Sequence, residues 1–195
     1  MAFIASMMRD PRAGAAAEEL RDLAGRQGVA WAESAAVSYL AGAAFLRGDM
    51  ARGRIDMSDV NILFNWGMLL IMKGSLDQGI VTLRQALEKV NRGRMPQFAA
   101  RVESELAHAL RRAGRPDEAL PVYRSAIHQW AKLGRRPAVA NQLECFAFMA
   151  RAEGQLERAA RLLGAAEVQR AEGGAAMAPW EREEYDRDLA ALRET

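Results

Sequence analysis

The imidazoles of His108 and His128 and the thiol of Cys145 are the groups from which a metal centre or a cysteine nucleophile would have to be built. Zinc asks for three or four such ligands at short, recurring spacings, and a nucleophile asks for a base within hydrogen-bond reach. With 2 histidines and 1 cysteine the sequence offers neither set, and no His-Glu-x-x-His or Gly-x-Ser-x-Gly motif accompanies them. Both histidines read as surface or groove residues. Cys145 stands before Phe146, Ala147 and Phe148, an apolar helical run in which a buried, inert thiol is expected. A single cysteine also excludes an intrachain disulfide. The acid pair Glu181 and Glu184 belongs to the charged face of a terminal helix. Trp31, Trp66, Trp130 and Trp180 are spread along the chain, which suits packing better than a base-stacking platform. There is no Gly-x-x-x-x-Gly-Lys-Ser/Thr and no Gly-Lys pair, so no loop of that kind cradles nucleotide phosphates. The expectation is a protein that is not an enzyme, with no catalytic residue, cofactor or metal.

Composition supports a helical, globular chain. Hydrophobic residues make up 50% and charged residues 27% of the 195 positions. Ala, Leu, Arg and Glu dominate and β-branched residues are sparse, a balance that favours helix. The net charge of +2 is spread along the chain instead of gathered in a basic stripe, which argues against nucleic acid as the partner. The start, Met1 to Asp10, lacks the basic and then apolar order of a signal peptide, and runs such as Met68 to Met72 are too short to span a bilayer. A cytoplasmic protein with no membrane contact is expected.

Internal periodicity organises the rest. Gly74, Gly114 and Gly154 recur at intervals of 40 residues. The same interval links Trp66, Leu106 and Phe146; Gly67, Ala107 and Ala147; and Leu70, Leu110 and Ala150. Beyond the glycine it links Gly79, Ala119 and Ala159; Leu83, Tyr123 and Leu163; and Ala86, Ala126 and Ala166. A large residue followed by a small one marks a helix that another approaches closely. The glycine ends that helix in a left-handed conformation, and the next begins at once. Ser75 with Gln78 spells a capping box, and Pro116-Asp117-Glu118 places proline and acids in a first turn. A weaker fourth unit surrounds Gly48, with helices over 30–47 and 49–57. Before it, a helix over 15–27 turns Leu20 and Leu23 inward. Gly173-Gly174 breaks the pattern, and a capping helix over 179–193 follows. The other helices are expected over 59–73, 76–91, 97–113, 116–133, 137–153 and 156–171. The whole chain, 1–195, reads as one helical repeat domain with a poorly defined segment at 1–14.

These columns resemble the tetratricopeptide repeat, most cleanly in Leu106-Ala107, Leu110, Gly114, Ala119, Tyr123 and Ala126. The 40-residue step exceeds the usual 34 and is similar to repeats at the C-terminal end of large bacterial signal-transducing ATPases, the LuxR-type and maltose-activator-like regulators. Leu156 to Glu167 and Trp180 to Tyr185, followed by Leu189 to Leu192, resemble how such proteins end. The resemblance covers about residues 30 to 193. It implies an all-α fold, a right-handed α-solenoid of about four antiparallel helix pairs plus terminal helices. It also implies a protein- or peptide-binding scaffold or regulatory module, with self-association left open. The alternative it raises is a small-molecule effector-sensing module of a transcriptional or signalling regulator.

In stacked helix pairs the first helices line the concave face. A 3-4-3 spacing beside the packing columns selects Asn61, Phe64, Met68 and Ile71 with Met72 adjacent, then Arg101, Ser104, His108 and Arg111 with Arg112 adjacent, then Asn141, Glu144, Phe148 and Arg151. This groove would hold an apolar patch beside a cationic one, suited to a segment with hydrophobic anchors and an acidic group. The competing reading is that the arginines are a solvated face and that Phe64 and Met68 touch a neighbouring helix. Because no phosphate-cradling loop is present, calorimetry with magnesium and ATP is expected to show no micromolar binding. A saturable isotherm in that range would overturn the expectation.

Overall fold

The computed structural model describes residues 11–28, 36, 39–40, 60–90, 94–174, 177, 182, 185–187 and 189–190. Among them seven helices have defined bounds: α1 (Pro11–Gln27), α2 (Val60–Met72), α3 (Leu76–Lys89), α4 (Pro96–Arg112), α5 (Pro116–Lys132), α6 (Arg136–Ala152) and α7 (Leu156–Gly173). The described residues contain no strand. The protein is all-helical and repeat-like. The chain falls into two compact units, Met1–Val90 and Asn91–Thr195. Of the weaker unit expected around Gly48 only Ala36, Tyr39 and Leu40 are among the described residues, and all three are helical.

The helices pair because each turn leaves the chain no slack. At the end of α4, Gly114 takes φ +71°, a conformation that an L side chain would strain. Its N–H donates to the Arg111 carbonyl at 3.0 Å, and the Arg115 N–H donates to the Leu110 carbonyl at 3.0 Å. These two bonds are a Schellman turn. Arg115 then serves as the N-cap of α5, its carbonyl accepting the Ala119 N–H at 3.1 Å. The same turn recurs at Gly74, Gly154 and Gly134, the last ending α5. Gly134 lies outside the 40-residue columns, halfway between Gly114 and Gly154.

The capping box expected at Ser75 does not form, because Ser75 makes no side-chain cap bond. Its ψ of 62° departs from the extended backbone that aims a serine hydroxyl at the third helical N–H. The Schellman turn engages the Ser75 backbone as well, its N–H held by the Leu70 carbonyl at 2.9 Å. Proline supplies part of the start signal instead, at the first or second position of α4, α5 and α6.

Helix pairs α2–α3, α4–α5 and α6–α7 pack along their lengths, and α5 also packs on α6. The small-residue columns lie at the crossings, where Ala107, Ala119, Ala147, Ala159, Ala126 and Ala166 are fully buried. In α2–α3 both crossing residues are glycine. A Cβ on Gly79 would stand 2.5 Å from Ile71 Cγ1 and 3.1 Å from the Gly67 carbonyl oxygen. A Cβ on Gly67 would meet Leu83 at 2.9 Å. The large column is looser, since Leu106 is buried while Trp66 and Phe146 are half-buried.

In α1 the expected inward leucines point outward: Leu20 is 43% and Leu23 44% exposed, while Ala17 and Ala24 are buried. These alanines are seven apart, two turns on one face, and that face is the buried one. At the other end, Gly174 takes φ +62° and caps α7. The described residues of the expected terminal helix (182, 185–187, 189 and 190) are helical. Tyr185 and Leu189 pack against the cluster of Ala147, Phe148, Ala150, Ala159 and Leu163.

Ala119→Leu inserts three carbons where no space exists and is expected to cost about 1–3 kcal/mol. Exposed Arg124→Ala should stay within about 0.5 kcal/mol. Urea denaturation checks both, and equal midpoints would refute the packing register.

Candidate functional site

The helix C-terminus of α4 and the middle of α6 converge on one side chain of α5. Tyr123 occupies the column filled by leucine at 83 and 163, so its hydroxyl enters a space that the other pairs leave apolar. A buried phenol requires partners. Arg111 Nε donates to the Tyr123 hydroxyl oxygen at 3.3 Å, and His108 Nδ1 lies 2.9 Å from the same oxygen. Which of the Tyr123 hydroxyl and His108 Nδ1 donates in their bond depends on the imidazole tautomer. Cys145 Sγ, from α6, stands 3.4 Å from His108 Nδ1. The His108 and Tyr123 rings meet edge to face at 5.5 Å, and Phe146 tilts against Tyr123 at 5.7 Å. Arg111 lies 5.6 Å over the Phe148 ring, a cation–π contact.

Electrostatics hold the cluster neutral apart from its arginine. Burial lowers the His108 pKa to about 3, with Arg111 and then Arg112 adding to the shift and the Asn141 hydrogen bond opposing it. Burial likewise raises the Tyr123 phenol well above its ordinary value, Cys145 contributing and Arg111 opposing. A cysteine nucleophile needs a cation to stabilise its thiolate, and this imidazole does not become one near neutral pH. The pair Cys145–His108 therefore reads as a polar seam between helix pairs.

A second seam runs along the same helices at a spacing of 26 residues. Ser104 of α4 accepts the Trp130 indole N–H at 2.9 Å while donating to the Ala100 carbonyl. Forty residues on, the same two places hold Glu144 and Arg170, joined by two bonds of 2.6 and 2.7 Å. Forty residues earlier they hold Phe64 and Val90, both buried. The contact is thus hydrogen-bonded in one pair and ionic in the next, at positions where residues 64 and 90 are apolar. Beside it, the carboxylate of buried Glu103 accepts from the Gln129 amide. Gln142 is buried with its Oε1 unpartnered, and its Nε2 donates to Asn141 Oδ1 at 3.0 Å.

The residues expected to line a groove divide accordingly. Arg101 and Arg112 are exposed, while Asn61, Met68, Met72, Arg111, Asn141 and Arg151 are half-buried. Phe64, Glu144 and Phe148 are buried, which corrects their assignment to an open face. For Glu144 the reason is geometric: it points, as Ser104 does, at the companion helix of its own pair. His108 is likewise not a surface residue but a half-buried member of the Tyr123 cluster. Of the expected set the structure brings together His108, Arg111, Asn141 and Phe148. Tyr123 and Cys145 complete the cluster, and Trp130, Gln142 and Arg170 are buried or part-buried polar residues that the groove reading omitted. Extending the 40-residue columns to 90, 130 and 170 would have exposed the last pairing. Trp31 and Trp180 lie outside the described residues.

Among the described residues no cluster of three or more metal-ligating side chains occurs, and no helix is long and apolar enough to cross a membrane. No family model matches the chain, and no curated protein matches it. The fold is similar to the crystal structure of BtubC (BKLC) from P. vanneervenii, with a TM-score of 0.68 and 18% identity, over 98% of this chain and 82% of that one. At that identity the likeness defines a class of helical fold and nothing about activity.

The depressed His108 pKa carries a pH dependence. Between its ordinary value of 6.5 and about 3 the unfolded chain takes up a proton that the folded chain does not. Stability from this source is present above that window and lost as pH falls through it. Chemical denaturation at pH 7 and pH 5 should show a smaller loss for His108→Gln than for the wild type. Equal losses would place the pH dependence elsewhere.

Proposed function

We propose that this protein is a non-catalytic scaffold that binds a protein or peptide partner in the cytoplasm, on the exposed face of the first helices of a right-handed α-solenoid. The observation that carries this reading is the contrast between two sets of positions 40 residues apart. The crossing columns keep residue size through every pair. On the first helices, positions 61, 101 and 141 read Asn, Arg and Asn, and positions 72, 112 and 152 read Met, Arg and Ala. These positions are half-buried or exposed, and the frame does not dictate them. A surface whose chemistry varies on a constant frame suits recognition, and Arg101 and Arg112 give it a cationic character suited to acidic groups.

Arg111 serves this test poorly, because it also holds Tyr123 and lies over Phe148. The discriminating variant is Arg101→Glu with Arg112→Glu, both exposed. Wild type and variant, used as baits and compared by quantitative mass spectrometry, should differ in a small set of proteins retained only by the wild type. The two baits should melt alike, since exposed substitutions shift stability by only about 0.5 kcal/mol. Identical sets from both baits would move the site off this face. Thermal stabilisation by a metabolite, with no protein retained, would favour the effector-sensing alternative.

A further inference from the structure

Contacts within the helix pairs and contacts between them differ in kind. Within a pair, alanines meet fully buried at the crossings. Ser104 with Trp130, Glu103 with Gln129 and Glu144 with Arg170 then bond from one helix of a pair to the other. Between α4–α5 and α6–α7, one face of α6 forms the seam. Val139 packs on the cluster of Ala100, Ala126 and Trp130, Cys145 Sγ stands 3.4 Å from His108 Nδ1, and Phe146 tilts against Tyr123. Gln142 lies one turn after Val139 and one turn before Cys145 and Phe146, so it faces the same seam. It is 1% exposed, and its Oε1 has no hydrogen-bond partner. Forty residues earlier the position holds Val102, which is fully buried and apolar.

We infer that this seam is a hinge, along which the α6–α7 pair swings away from α4–α5 with both pairs intact, in an opening that precedes global unfolding. A buried carbonyl without a donor costs free energy only while the seam is closed, because opening returns it to water. The thiol contact beside it is a weak hydrogen bond, so little is lost when it parts. Separation inside either pair has no such compensation. It would expose the crossing alanines and leave Glu144 without the guanidinium of Arg170. The Gly134 turn is the pivot, and there Arg135 donates to Gln97 at 3.2 Å, which holds that end together. The opening therefore parts Val139, Gln142, Cys145 and Phe146 from the preceding pair and alters the angle between consecutive pairs.

Cys145 is the only cysteine of the sequence and is buried in the seam, so its thiol reports the opening. The test reacts the full chain with an excess of a small aromatic disulfide at increasing urea, beside global unfolding followed by circular dichroism. In the absence of urea the opening constant read from Cys145 should exceed the global unfolding constant at least about tenfold. Its urea dependence should be less than about half the global one, since only the seam is exposed. Gln142→Val, which installs the residue found at 102, should slow the labelling about tenfold. A thiol placed inside the α6–α7 crossing, by Ala159→Cys in a Cys145→Ala chain, should react only as fast as global unfolding allows. If that variant does not fold, Ala166→Cys replaces it with the same outcome required. Labelling of Cys145 that matches global unfolding in rate and urea dependence would overturn the inference. So would an unchanged or faster rate in Gln142→Val, or a crossing thiol that reacts as fast as Cys145.

Discussion

Among the described residues the chain reverses direction within a single residue four times, and the remaining architecture follows from how it does so. A left-handed glycine closes one helix with two backbone hydrogen bonds, and the next residue is already the N-cap of the following helix. With no loop to absorb a mismatch, the depth at which two helices first touch is fixed by the turn. Gly114, Gly134 and Gly154 are evenly spaced, so α5 and α6 are the same length and meet their neighbours at repeating heights. The crossing residues must then be small, because the turn brings the axes together whatever side chains lie between them. Gly67 and Gly79 are the extreme case, where even a methyl group would displace Ile71 or Leu83.

A frame held by backbone leaves side chains free to vary at places it does not specify. Positions 104 with 130 and 144 with 170 use that freedom in two chemistries, one hydrogen-bonded and one ionic. The ionic version is the more demanding: Glu144 is 2% exposed, and a carboxylate so placed needs the bidentate guanidinium of Arg170 to offset its lost hydration. Such a pair adds little net stability over an apolar one, yet it penalises wrong pairing severely, since either charge alone would be buried without a partner. Ser104 with Trp130 and Glu144 with Arg170 are therefore poorly interchangeable. Pairs built on one repeat would otherwise be free to exchange companions, and these contacts oppose that.

The helices were legible in the sequence because their determinants are steric and local. Glycine after a periodic run, small residues at fixed intervals and proline in a first turn each leave a mark that one sequence displays. The faces were harder to read. A 3-4-3 spacing describes any stripe along a helix, and one residue of shift turns the stripe by about a quarter turn or slightly more. Thus a pattern meant for an open groove selected Glu144 and Phe148, which face other helices, together with Arg101 and Arg112, which are exposed. Leu20 and Leu23 failed for a related reason, since α1 buries its alanines at 17 and 24. Ser75 had the right neighbours for a capping box but the wrong ψ, which a tight turn decides and composition does not.

The Tyr123 cluster shows how one substitution in such a frame propagates. Leucine at 83 and 163 needs only apolar neighbours, whereas tyrosine brings a hydroxyl that has to be satisfied. His108 and Arg111 answer it from α4, and Cys145 stands beside His108 from α6. The cost falls on His108, whose protonated form is disfavoured by burial and by two arginines of its own helix. What results is a polar contact between consecutive pairs with its charge confined to Arg111. Arg111 is in this way tied to the Tyr123 cluster, whereas Arg101 and Arg112 of the same helix are exposed.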